Sequence, residues 1–146
     1  MAVGQRKDPY LGFRFRVEIE GVQVGGFSEV SGLQVEVETE DYREGGANDF
    51  VHKLVGPTRY PANLALKHGL MDTSTLWDWH QDVRNGRITR RNGSIILLNS
   101  AGLEVRRWNF TGAHPVRWNG PELRATSADV AMESVELVHR GLSLAR

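Results

Sequence analysis

Residues 13–20 read Phe13-Arg14-Phe15-Arg16-Val17-Glu18-Ile19-Glu20. Side chains alternate across a β-strand, so Phe13, Phe15, Val17 and Ile19 share one face and Arg14, Arg16, Glu18 and Glu20 share the other. One face suits a core, the other water or a charged partner. The device recurs at Leu33-Gln34-Val35-Glu36-Val37-Glu38. Acids stacked along Glu36, Glu38 and Glu40 cost stability unless a basic strand faces them. Arg14 and Arg16 offer such a strand.

Working outward, strands are expected at about 13–20 and 22–27, with Gly21 as a turn, and at 33–41 after a turn at Ser31-Gly32. Gly25-Gly26 suggests a bulge or close backbone approach. Residues 43–61 differ. Arg43-Glu44-Gly45-Gly46-Ala47-Asn48 is a turn sequence. Phe50, Val51, Leu54 and Val55 then bring apolar bulk without clean periodicity, before Gly56-Pro57. A loop this long is usually functional or disordered, and its apolar content argues against disorder. An arm packed on another subunit explains it.

Leu64, Leu66 and His68 alternate in a short strand. Leu76, Trp77, Trp79, His80 and Val83 have helical spacing, with Asp72, Thr73 or Ser74 as cap and Asn85-Gly86 as stop. Asn92-Gly93 reads as a hairpin turn between 87–91 and 94–99. Asn99-Ser100-Ala101-Gly102 is another turn, and a strand follows over 103–112. The last strand, 128–140, is apolar at Val130 and Met132, then at Val135 and Leu137, which suggests a bulge near Ser134. The sum is a mainly β, antiparallel sandwich or barrel with one flanking α-helix.

The 146 residues suit a single domain. There is no cysteine, so disulfides and thiolate metal sites are excluded. Charges balance at 18 of each sign, which argues against a strongly basic nucleic-acid binder and an acidic disordered chain. No apolar run has the length of a membrane span, and the N-terminus lacks the apolar stretch of a signal peptide. A cytoplasmic origin is expected.

No catalytic, cofactor or metal set emerges. Asp78 and Asp82 can share a helix face, but His80 points away from both, a poor metal geometry. His52, His68, His114 and His139 are scattered, and none is marked as a general base. Gly26-Phe27-Ser28-Glu29-Val30 lacks the second glycine of a nucleophile elbow. Arg84, Arg87, Arg90 and Arg91 form the one basic cluster. A solvated helix end explains Arg84 and Arg87 as well as nucleic acid does. Trp77 and Trp79 lie two apart on a helix and cannot face the same way. One enters the core and leaves the other for a partner.

The arrangement resembles the tail-tube proteins of contractile phage tails, especially the inner-tube proteins of extracellular contractile injection systems. The resemblance rests on Asp8-Pro9-Tyr10 entering 13–20, on Gly26-Phe27-Ser28-Glu29-Val30-Ser31-Gly32-Leu33 and on Tyr42-Arg43-Glu44-Gly45-Gly46. It continues through Leu76-Trp77-Asp78-Trp79-His80, Arg91-Asn92-Gly93-Ser94-Ile95, Trp108-Asn109-Phe110 and Glu133-Ser134-Val135-Glu136-Leu137-Val138-His139. It implies one tail-tube domain over 1–146, with an N-terminal arm at 1–12 and an inter-subunit arm at 43–60. It further implies six subunits per ring, stacked rings, and strands lent to a shared β-barrel tube. Expected partners are a contractile sheath, baseplate or hub and terminal cap proteins, and a cargo or tape-measure protein in the lumen. Asn48, Phe50, Val51, His52, Lys53, Leu54 and Pro57 would contact the next ring. Arg14, Arg16, Glu18, Glu20, Glu36 and Glu38 would face the lumen. Trp77, Asp78 and Asp82 would face the sheath or another partner. Neither a membrane segment nor sequence-specific nucleic-acid binding is implied. The competing expectation is a monomeric OB-like module gripping nucleic acid or a peptide through Arg84–Arg91.

Overall fold

The computed structural model describes residues 8–22, 26–42 and 52–146. Among them are nine strands and one helix. In chain order these are β1 (Phe15–Ile19), β2 (Phe27–Ser31), β3 (Glu36–Tyr42), β4 (His52–Arg59), β5 (Leu64–Gly69), α1 (Thr75–Arg84), β6 (Arg91–Leu98), β7 (Glu104–Asn119), β8 (Met132–Val138) and β9 (Gly141–Leu144). All their pairings are antiparallel.

The 16-residue β7 organises the body. Its first half runs between β6 and β9, and its second half lies beside β8. Beyond β6 comes β1; beyond β8 come β5 and then β2. Two sheets thus share one strand, which passes between them where Gly112 takes φ +60° and the register slips after Pro115. Their apolar faces meet in one cluster that includes Ile19, Leu64, Leu66, Ile95, Phe110, Val135 and Leu137, with Leu76 and Trp79 of α1 packed in. The expected sandwich with a flanking helix is the observed architecture. Apart from it, β3 and β4 form a two-stranded ribbon.

Several local expectations change. Asn92-Gly93 is no hairpin turn: both residues lie inside β6, at a register slip against β7. A Cβ on Gly93 would run into the Phe110 ring and come within 2.5 Å of the Glu18 carbonyl oxygen. This glycine admits a ring and a strand, although its dipeptide spells a turn. Residues 87–90 are not a strand. Phe13 precedes β1 and is 68% exposed, so it does not join the core face. The expected strand at 22–27 is replaced by β2; Val22 only bridges to Ile19, and 23–25 lie outside the described residues. Gly26 has open space around it, so it marks no close approach.

The strand expected to end at 112 runs on to Asn119, and β9 is an additional strand after it. No bulge interrupts β8 near Ser134. β8 keeps continuous register with β5 and buries Glu133, Val135 and Leu137 in strict alternation. The extra residue sits opposite, in β7. The misleading shift of phase arose because an inward position carries a glutamate.

Other expectations hold. Asn99 makes the β6–β7 turn, its Oδ1 accepting from the Ala101 and Leu103 N–H groups at 3.0 and 2.9 Å. Asn85 caps the C-terminus of α1, and Gly86 follows at φ +87°. Ser74 is the N-cap by position, but its hydroxyl donates to Asp78 Oδ2 instead of receiving a backbone N–H.

Candidate functional site

The charged face of β1 is extended by its neighbours. Arg16, Ile96 and Arg107 lie side by side across β1, β6 and β7. Arg16 pairs with Glu18 at 3.3 Å, and Glu18 meets Arg107 at 3.4 Å. Arg107 clasps Glu104 through two hydrogen bonds of 2.7 and 3.1 Å, which hold that carboxyl below its ordinary range. Ile96 is fully buried, flanked in register by the two arginines. Arg14 reaches sideways and donates to the Ser100 carbonyl at 2.8 Å. Glu20 follows β1 and is exposed.

Glu36 and Glu38 do not belong to this face. They stand on the ribbon, where Glu38 pairs with Arg59 at 2.5 Å and Asp41 pairs with Lys53. The basic strand opposite the acidic run is therefore β4, and not the one bearing Arg14 and Arg16.

The ribbon contains half of the expected inter-subunit arm. Residues 52–59 form a paired strand, whereas the sequence pattern shows no strand periodicity there. The reason is that the described residues leave both ribbon faces open. Val37 and Leu54 are each 47% exposed and Val55 is 83% exposed. Lys53 and Pro57 are also exposed. Asn48, Phe50 and Val51 lie outside the described residues.

On α1 the tryptophans divide as their spacing requires. Trp79 is buried and donates through Nε1–H to the Thr89 carbonyl at 2.9 Å. Trp77 stays half-exposed, its ring edge-on to Trp118 at 4.7 Å. The pair borders a groove of about 440 Å³ with Leu70 and Met71. Asp78 is exposed beside Trp77, and Asp82 is half-buried.

Sequence reasoning missed a buried polar pair. His68 on β5 and Glu133 on β8 face each other, and His68 Nε2–H donates to Glu133 Oε1 at 2.6 Å. Trp118 Nε1–H donates to the other carboxylate oxygen at 2.9 Å. Glu133 shares the inward phase of Val135 and Leu137, a signal legible in the alternation. The pair lies inside the sandwich and links β5, β8 and β7. Among the described residues, no group of three or more His, Asp or Glu is placed to hold a metal ion.

The family described as T4-like virus tail tube protein gp19 matches residues 11–143. The chain belongs to this tail tube family. Similar solved structures agree. A chain in the cryo-EM structure of the anti-feeding prophage baseplate, symmetrised six-fold, is 29% identical; the match covers 96% of this chain and 97% of that one, with TM-score 0.83. A chain of an extracellular contractile injection system, from the PVC sheath–tube complex in its extended state, is 27% identical, with coverages of 94% and 91% and TM-score 0.83. A chain of the anti-feeding prophage tube-terminating cap is 25% identical, with both chains covered to 99% and TM-score 0.85. Hcp1 from Flavobacterium johnsoniae shares the fold at 15% identity and TM-score 0.55, with coverages of 89% and 93%. No curated protein sequence matches the chain. The tail tube protein is thus a structural component of a phage tail or contractile injection particle, and the OB-like binding module is not favoured. No described helix is long and apolar enough to cross a membrane.

Proposed function

We propose that six copies close into a ring and that rings stack into a hollow tube, which sheath contraction drives through a target envelope. The observation that carries this reading is the open sheet. β1 and β9 end one sheet with no further strand among the described residues, and such edges are a liability unless another chain covers them. Closing strands across subunits into a barrel removes the edges. The face bearing Arg14, Arg16, Glu18 and Glu20 then lines the lumen, where interspersed charges of both signs resist adhesion of a passing cargo or tape-measure protein. Glu36 and Glu38 form a second, separable group on the ribbon. The arm from Asn48 to Pro57 bears on the next ring. Trp77, Asp78 and Asp82 present the helix to the sheath, while cap and baseplate proteins terminate the stack. The subunit works as a structural element and not as an enzyme, and it assembles in the producer's cytoplasm.

Electron microscopy of the purified protein tests the ring. Six-fold rings or tubes are expected; a strict monomer that shifts oligonucleotides in a gel overturns the reading. Cysteines placed at Glu18 and at Glu38 test the lumen. In tubes, a bulky thiol reagent should spare the first. Equal labelling of Glu18→Cys before and after assembly refutes the lumen assignment.

A further inference from the structure

The two ends of the body carry opposite charge. At one end α1 begins, β5 ends and β8 starts: Gly69 pairs with Met132, and the Leu70 N–H donates to the Ala131 carbonyl at 2.8 Å. This places Asp72 beside the exposed loop 120–131. Glu122 and Asp129 line a depression there with Asn119 and Met132. Leu123 and Val130 stand out from the same loop at 78% and 74% exposure. Among the described residues the cations at this end are Lys67 and Arg124, and Arg124 is tied to Glu122 at 3.1 Å.

At the other end α1 finishes and residues 85–90 lead into β6. Arg84, Arg87 and Arg90 are exposed there, with Ile88 between them at 51% exposure. Arg90 Nη1 lies 3.2 Å from His114 Nδ1, and His114 pairs with Val138, the last residue of β8. The Arg140 stem lies over Gly112 beside them. Burial, Arg90 and Arg140 together push the His114 imidazole below its ordinary range, as expected inside a positive patch. None of Arg84, Arg87, Arg90 and Arg140 is ion-paired to a described carboxylate. Among the described residues Asp82 and Glu20 are the acids at this end, and they are outnumbered. The ten residues of α1 separate the two ends by about 15 Å.

We propose that loop 120–131 of one copy seats on residues 84–90 of the next copy, head to tail. Leu123 and Val130 meet Ile88, inside a rim where Asp72, Glu122 and Asp129 face Arg84, Arg87 and Arg90. An apolar centre within a polar rim is the ordinary anatomy of an interface. A second copy is the fitting occupant because the same chain carries both halves of the match, an acidic loop with exposed Leu123 and Val130 and a basic segment with exposed Ile88. Such a contact is heterologous: it closes into a ring or propagates as a stack, and it never stops at a dimer. The inference rests on the tube reading and names a contact which that reading leaves open.

Charge reversal tests it. Arg87→Glu with Arg90→Glu makes one variant; Glu122→Arg with Asp129→Arg makes the other. All four positions are exposed, so circular dichroism should show both folded. Under conditions where the unmodified protein forms tubes, each variant alone should lose assembly by more than about tenfold, because like charges then meet. An equimolar mixture should recover it, since alternating copies restore opposite charge at every contact. Tubes from either variant alone, or folded variants whose mixture stays unassembled, overturn the proposal and leave the tube reading intact. Tubes that form normally but lose the sheath also overturn it, by assigning the loop to that partner. Failure of the unmodified protein to assemble counts against the tube reading itself.

Discussion

The sandwich body and the β3 strand of the ribbon use the same alternating code and come to opposite ends. In β5 and β8 every second side chain is buried, and Leu64, Leu66, Val135 and Leu137 are fully covered. In the ribbon, Val37 stands between Glu36 and Glu38, and Leu54 and Val55 follow Lys53, yet all three are exposed. A lone two-stranded hairpin is marginal by itself. The ribbon's visible ties, Arg59 to Glu38 and Lys53 to Asp41, are exposed ion pairs, each worth about 0–1 kcal/mol. Alternation therefore records which face is meant to be covered, while the covering element can belong to the same chain or to another. The body supplies its own; the described residues leave the apolar side chains of the ribbon exposed.

The contrast is sharpest where the core is cut. Phe110→Ala removes a fully buried ring at the centre of the sandwich and should destabilise the subunit by about 3–5 kcal/mol. Chemical denaturation with an unchanged slope would measure it. Gly93→Val should act through the same place from the opposite direction, by forcing Phe110 and β1 away. A small loss from either would mean that the body does not depend on this core for its stability.

A second cut goes through the buried polar pair. Glu133→Leu leaves His68 Nε2 and Trp118 Nε1 without their acceptor and should cost about 1–3 kcal/mol. Adding His68→Leu should recover part of that loss, because an apolar pair leaves fewer buried groups unsatisfied. Additive losses would show that the two residues pack independently.

How far the sequence could be read follows the same division. The charged and apolar faces of β1, the β5 alternation and the two-sided helix were legible because each is covered within a few strands of the same chain. Glu133 was misread because its partner, His68, lies far off in sequence and the charge disguised an inward position. Gly93 was misread because close packing and tight turns ask for the same residue. The pairing of Glu38 with Arg59 was misassigned because several basic strands were available and periodicity does not choose among them. Along β4 the pattern was faint because neither ribbon face is covered by the described residues.

On the ribbon, Leu54→Asp with Val55→Asp should change subunit stability by no more than about 0.5 kcal/mol, since both side chains are exposed. Phe50→Asp paired with Leu54→Asp is the corresponding change reaching into the arm. Either pair should weaken ring stacking strongly, seen as single rings in place of tubes by electron microscopy. Loss of the far-ultraviolet dichroism would show that the ribbon belongs to the folding unit and would erase the distinction between the two regions.

The smallest effect is expected at the joint between them. Tyr60, just after β4, packs its ring on His139 at 4.8 Å with the planes tilted by 53°. Burial pushes the His139 imidazole below the ordinary value of 6.5. The unfolded chain therefore binds a proton more readily than the folded one as pH falls below 6.5. Stability linked to His139 is intact above that pH and declines as the solution is acidified toward the depressed folded value. His114 has the same sign, from burial and from Arg90 and Arg140, so the two histidines act together. Melting temperature should fall modestly between about pH 7 and pH 5, beyond what the carboxylates contribute. His139→Phe keeps a ring against Tyr60 and removes the titrating group, so it should flatten that slope while leaving the neutral-pH melting temperature nearly unchanged. If the slope persists in His139→Phe and disappears in His114→Gln, the acid-sensitive point lies at the basic end of the body, and the ribbon joint is indifferent to protons.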